Sequence, residues 1–247
     1  MRSRSGESTW RGDAELKRAI LAQLAGHRAA PVPRFEPLEV GGRAIRVFGW
    51  DGTPARRDLA AEALGLPHDL LELGWTLFET FPDCDEGVAE EIGLKMDFLA
   101  RIPVGVDAAR VVTRFVAGCL ADRSGGLGAP TGAADRALIA AVAGAVGRES
   151  EGELGVLGER VAARLAELEA ELRVACQDPQ SAECLRTRRE VWAMEATAAA
   201  CRVLDDPRAA VRVAEGALEG RRGADWDLDK DFERLGARLL VLLEGLG

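Results

Sequence analysis

The chain contains no tyrosine and no asparagine, and it has only three lysines against 29 arginines. Without tyrosine there is no phenol to serve as acid, base or nucleophile. The joint shortage of Tyr, Asn and Lys is the mark of GC-rich coding rather than of a particular chemistry. No stretch reaches the length of apolar residues needed to span a bilayer, so no membrane span is expected. The opening "MRSRSGESTWRGD" has basic residues but no apolar run behind them, which predicts no secretory leader and a cytoplasmic location. The five cysteines are odd in number and show no C-x-x-C spacing. That excludes a zinc ribbon or a disulfide framework, and reduced thiols are expected. One exception stays open: Cys176 and Cys184 flank the turn "QDPQSAE" and meet across it if geometry permits. There is no G-x-S-x-G, no P-loop and no G-x-G-x-x-G, and "SGGLG" at 124–128 lacks the Lys-Ser/Thr of a phosphate cradle.

The net charge is −9. Nucleic acids and anionic membranes both require a positive field, so neither is expected as a partner. With 47% hydrophobic and 30% charged residues, the composition is that of an ordinary globular chain.

The chain reads as mainly α, a multi-helix, bundle-like array with one small β-hairpin near residues 36–50. Asp13 caps a first helix in which Leu16, Ile20, Leu21 and Leu24 recur at helical spacing. "APVPRFEP" then breaks helicity with three prolines. "FEPLEV" and "RAIRVFGW" follow, joined by Gly41-Gly42, a pair suited to the positive φ of a two-residue turn. Further helices are expected from "PARRDLAAEALG", "PHDLLELGWTLFETF", "DEGVAEEIGLKMDFLARI" and "GVDAARVVTRFVAGCLA". The flexible composition of 123–132 predicts a linker between a helical domain at 1–122 and an Ala-rich helical domain at 133–247.

Trp10, Gly12, Asp13, Leu16 and Lys17, followed by His27 and Arg28, form the first of three short motifs. The second is Gly65 and Pro67 ahead of Phe78, Glu79 and Pro82. The third is Ile102, Pro103, Gly105 and Asp107. With the Ala-rich second half, these motifs make most of the chain resemble a group of uncharacterised bacterial proteins, for which no activity is implied. Relatives of that type carry Gly–Cys pairs in the hairpin region, whereas "GGRAIRVFGW" has none.

Two functional readings follow. In the first, the chain is a non-enzymatic binding or assembly module that uses its helical faces and hairpin edge, with no cofactor and with a homodimer as the expected assembly. A two-stranded hairpin is marginal alone and must pack or pair. Asp13, Lys17, His27, Arg28, Glu79 and Asp107 are its candidate pocket. Asp13 and Asp107 also read as helix caps, and Glu79 reads as a carboxylate paired with Lys17 or Arg28. In the second, His27, His68 and Asp69, with a later acid such as Asp107 or Asp122, hold a divalent metal in an HD-like phosphohydrolase. Two acidic clusters offer oxygens to a hard cation, Asp83, Asp85 and Glu86, and Asp225, Asp227, Asp229 and Asp231, although neither has EF-hand spacing.

Overall fold

The first helix starts where the sequence places it. In the computed structural model α1 spans Ala14–Arg28, and Asp13 Oδ1 accepts hydrogen bonds from the amides of Glu15 and Leu16 at 2.8 and 3.1 Å. Residues 8–45, 54–78, 84–125, 132–206, 209–219 and 228–245 are described. Among them are ten α-helices and one antiparallel hairpin, a mainly α fold as expected.

Residues up to Val111, together with 233–247, form one compact unit. It holds a 3-10 turn at Thr9–Gly12, α1, the hairpin β1 (Leu38–Val40) and β2 (Arg43–Ile45), α2 (Pro54–Leu64), α3 (His68–Phe78) and α4 (Asp85–Arg101). Gly41 and Gly42 have φ of 57° and 76°, the two positive angles of a type I′ turn. The hairpin is therefore placed as read, with 46–50 lying outside the described residues. Alternation holds too: Leu38 and Ile45 are paired and share the face on which Leu38 is fully buried.

α2 stops at Gly65, whose φ is 63°. The Gly65 amide donates to the Glu62 carbonyl and the Leu66 amide to that of Ala61, the paired bonds of a Schellman end. α3 and α4 meet through Phe98, whose ring lies 6.1 Å from that of Trp75 and 5.5 Å from that of Phe78. Gly74 makes room for it, because a Cβ there would sit 2.2 Å from the Phe98 ring. Alanine normally stabilises a helix interior by about 1 kcal/mol over glycine. Gly74→Ala should nevertheless cost about 1–3 kcal/mol through overpacking. A gain in stability on chemical denaturation would contradict this packing.

Residues 112–232 form a second compact unit. It contains α6 (Ala133–Gly147), α7 (Glu151–Ala175), α8 (Ala182–Ala200) and α9 (Ala209–Glu219). α5 (Ala109–Gly125) begins just before the dividing point, and α10 (Leu228–Glu244) just before the return. The linker expected at 123–132 lies mostly outside the described residues; the dividing point between the units falls within α5, and most of the chain's last helix counts with the first unit. Small residues let the helices of the second unit approach, as where Gly216 abuts Ala196. Arg164 forks onto the buried Asp135 at 2.9 and 3.1 Å and also reaches Glu167 and Glu171. Its guanidinium is held charged first of all by the Asp135 bond. Cys176 and Cys184 are bridged. The expectation of reduced thiols is corrected at this pair, because the α7–α8 turn brings the two Cα atoms to 4.8 Å, well inside disulfide reach. No helix among the described residues is long and apolar enough to cross a membrane.

Candidate functional site

Most residues of the three short motifs build one backbone clasp. Trp10, Arg11 and Gly12 run consecutively through positive φ, at 57°, 51° and 72°. For the first two this is strained, at roughly 1–2 kcal/mol each. The surroundings hold it in place. Trp10 is fully buried and its Nε1 donates to the Ile102 carbonyl at 3.1 Å. Thr9 exchanges backbone bonds with Val106 and Gly105, and its hydroxyl donates to the Pro103 carbonyl. The Arg11 amide donates to the Gly65 carbonyl. Gly65 has no room for a side chain, since a Cβ would lie 2.8 Å from Arg11 Cγ. Lys17 donates to the carbonyls of Ala100 and Ile102 at 2.6 and 2.7 Å, closing the end of α4. Its ammonium lies 5.9 Å from the Trp10 ring centroid, and burial lowers its pKa.

The candidate pocket residues therefore separate. Asp13 and Asp107 are exposed caps, the latter accepting from the Ala109 amide at 2.9 Å. Lys17 is spent on carbonyls. His27 and Arg28 lie at the far end of α1, about 21 Å along the axis from Asp13 at 1.5 Å per residue. There His27 Nε2 is 4.0 Å from Glu36, and the Arg28 guanidinium packs on Gly93. Glu79 lies outside the described residues, so its pairing does as well. The metal triad divides similarly. His68 opens α3 with Nδ1 at 3.4 Å from Glu72, one turn on, and Asp69 follows it in the first turn. No group of three or more His, Cys, Asp or Glu able to hold a metal occurs among the described residues. Asp122 lies on α5. Asp85 and Glu86 are exposed in the first turn of α4, and Asp83 lies outside the described residues. Asp225 and Asp227 also lie outside them, and Asp229 and Asp231 fall at the start of α10.

Two features escaped the sequence reading. The first is Lys95, fully buried and bonded to Glu91 one turn earlier on α4. Its ammonium lies 5.5 Å from the Trp75 ring centroid and 5.8 Å from that of Phe35. A signal was present: Glu91, Ile92, Lys95, Phe98 and Leu99 recur at helical spacing, so a lysine sits on the apolar stripe.

The second is an asymmetry of the hairpin. Ladder bonds next to the turn join Val40 with Arg43, so Glu39 and Ala44 direct their amides and carbonyls outward. On the β1 side the Gln23 side chain fills the place of a third strand. Its Nε2 donates to the Glu39 carbonyl at 2.8 Å, and its Oε1 accepts from the Glu39 amide at 2.7 Å. On the β2 side no hydrogen bond closes Ala44 among the described residues. This edge borders a cleft of about 930 Å³ lined by Arg11, Val40, Gly41, Arg43, Ala44, Ile45, Leu59, Glu62 and Ala63. Leu59 is 55% exposed beside it. Its described lining offers apolar walls, a strand edge, the arginines Arg11 and Arg43, and the carboxylate of Glu62. A smaller cleft of about 450 Å³ in the second unit is lined by residues including Trp192, Glu195 and Arg212. Burial, with Glu169 adding repulsion, raises the Glu195 pKa. Comparison with protein-family models, curated proteins and solved structures returned no match to this chain.

Proposed function

We propose that this chain is a non-enzymatic binding and assembly module of the bacterial cytoplasm that pairs with a second copy of itself through the β2 edge of its hairpin. The observation that carries the reading is the asymmetry: Gln23 closes one edge, while no hydrogen bond among the described residues closes the other at Ala44, which borders a cleft. Antiparallel pairing of two β2 strands about Ala44 lets each Ala44 exchange both bonds with its copy. The contact is self-complementary, as a two-fold dimer requires. It turns a marginal two-stranded hairpin into a four-stranded sheet. His27, His68 and Asp69 supply no three-ligand group among the described residues, so no specific observation favours the metal-dependent alternative.

Ala44→Pro tests the pairing without disturbing the hairpin. Proline removes only the outward donor at this position and is tolerated at a strand edge. Two symmetry-related bonds are lost at about 0.5–1.5 kcal/mol each, so the dimer dissociation constant should rise roughly ten- to a hundredfold. Light scattering across a range of concentrations should show a wild-type dimer and a weakened Ala44→Pro variant with unchanged circular dichroism. A monomeric wild type, or an Ala44→Pro protein that dimerises equally well, rejects the reading.

A further inference from the structure

We propose that the Cys176–Cys184 bridge is a thiol–disulfide exchange site, opened by an external dithiol that attacks Cys176 and expels Cys184 as a thiolate beside Arg188. Its residues all lie in the second unit, so the inference stands apart from the hairpin reading.

The two sulfurs are unequal. Cys176 is half-buried at the C-terminal end of α7, where the helix dipole opposes a negative charge. Cys184 is fully buried in the first turn of α8, where the dipole favours one, and its amide donates to the capping Ser181 hydroxyl at 3.1 Å. Arg188, one turn further on, directs Nη2 to Cys184 Sγ at 3.7 Å and to Cys176 Sγ at 4.0 Å. No carboxylate pairs with that guanidinium among the described residues. Nearby acids are engaged elsewhere on the surface: Asp178 accepts from the Gln180 amide, and Glu183 lies 4.0 Å from Arg186. A neutral disulfide offers a guanidinium little, whereas a thiolate offers it a full charge. The site is therefore arranged for the opened state.

The chemistry balances without further reagents. A thiolate of the dithiol bonds to Cys176 Sγ, and the electron pair of the S–S bond leaves on Cys184, the better leaving group. The second thiol of the dithiol loses its proton and attacks its own sulfur in the mixed disulfide. Cys176 then leaves as a thiolate and takes up a proton. The protein gains two electrons, and the dithiol becomes a disulfide. In a reducing compartment a bridge of this kind is a transient, redox-responsive one.

The test uses the full chain equilibrated in graded dithiothreitol buffers, with each cysteine read by alkylation and peptide mass spectrometry. Arg188→Ala should lower the equilibrium constant for reduction about tenfold, a shift of about 30 mV, and Arg188→Lys should retain most of the wild-type value. In the Cys176→Ser chain, Cys184, at a helix N-terminus beside Arg188, should alkylate at a lower pH than Cys201 despite its burial, and adding Arg188→Ala should raise its midpoint by about one pH unit. Cys201, whose thiol burial pushes up to about 11, serves as the unreactive reference. A monothiol should be trapped on Cys176. The proposal is overturned by a mixed disulfide on Cys184, by Cys184 alkylating no sooner than Cys201, or by an Arg188→Ala protein with unchanged equilibrium and midpoint. If Arg188→Ala fails to fold, trapping and the Cys184 midpoint in the Arg188-intact chain decide the matter alone.

Discussion

Glu91→Ala should lower the unfolding free energy by about 3–5 kcal/mol, because it removes the bonded carboxylate from an ammonium that has no contact with water. Lys95 sits in an apolar setting made by Trp75, Phe35 and the buried stripe of α4. A charge there depends on its partner far more than a surface charge does. The pair itself need not be stabilising relative to hydrocarbon, since desolvating two ions offsets most of their attraction. Glu91→Leu combined with Lys95→Met should therefore recover most of the loss, leaving the double variant within about 1–2 kcal/mol of the native protein. Urea denaturation of the three proteins checks this. A single variant that loses less than about 1 kcal/mol, typical of a surface pair, contradicts a buried pair. A double variant no better than the single assigns Lys95 a role beyond pairing.

Trp10→Ala should cost a similar amount, about 3–5 kcal/mol, through the cavity left by a fully buried indole. The consequence should be local. The indole supports the turn at Thr9–Gly12, the carbonyl of Ile102 and the ammonium of Lys17 together. Hydrogen exchange should accelerate first at the amides of Thr9, Arg11 and Gly105, which carry the clasp. Trp10→Phe retains the ring volume in part and loses the Nε1 bond, while Ile102 still accepts from Lys17. Its cost should be about 1–2 kcal/mol. Unchanged exchange at those three amides in Trp10→Ala would mean that the backbone bonds hold the clasp without the indole.

The clasp explains why the motifs looked like a site. Trp10, Gly12, Asp13, Lys17, Gly65, Ile102, Pro103, Gly105 and Asp107 are unusual choices in an Ala- and Leu-rich chain, and such choices suggest chemistry. Seven of the nine instead answer a backbone demand: a positive φ at Gly12, Gly65 and Gly105, a cap at Asp13 and Asp107, and carbonyls closed by Lys17 and Trp10. Caps and turn glycines are legible in sequence because they act over two or three residues. That Lys17 reaches Ala100 and Ile102 is not, because it joins segments more than eighty residues apart.

The helices, the two-glycine hairpin and its buried face are legible in the amino-acid sequence. These follow from periodicity, capping and glycine conformation, which are properties of short windows. The lysine on the apolar stripe of α4 is legible there too. Which polar groups meet is set by the packing of segments distant in the chain. The Gln23 side chain happens to lie along Glu39 and closes one strand edge. The α7–α8 turn brings Cys176 to Cys184 and sets Arg188 beside both. The ends of α1 hold Asp13 and His27 too far apart to share a pocket. Hydrogen bonds and ion pairs act over a few ångströms, and the spacing of residues along the chain does not fix which distant segments come that close.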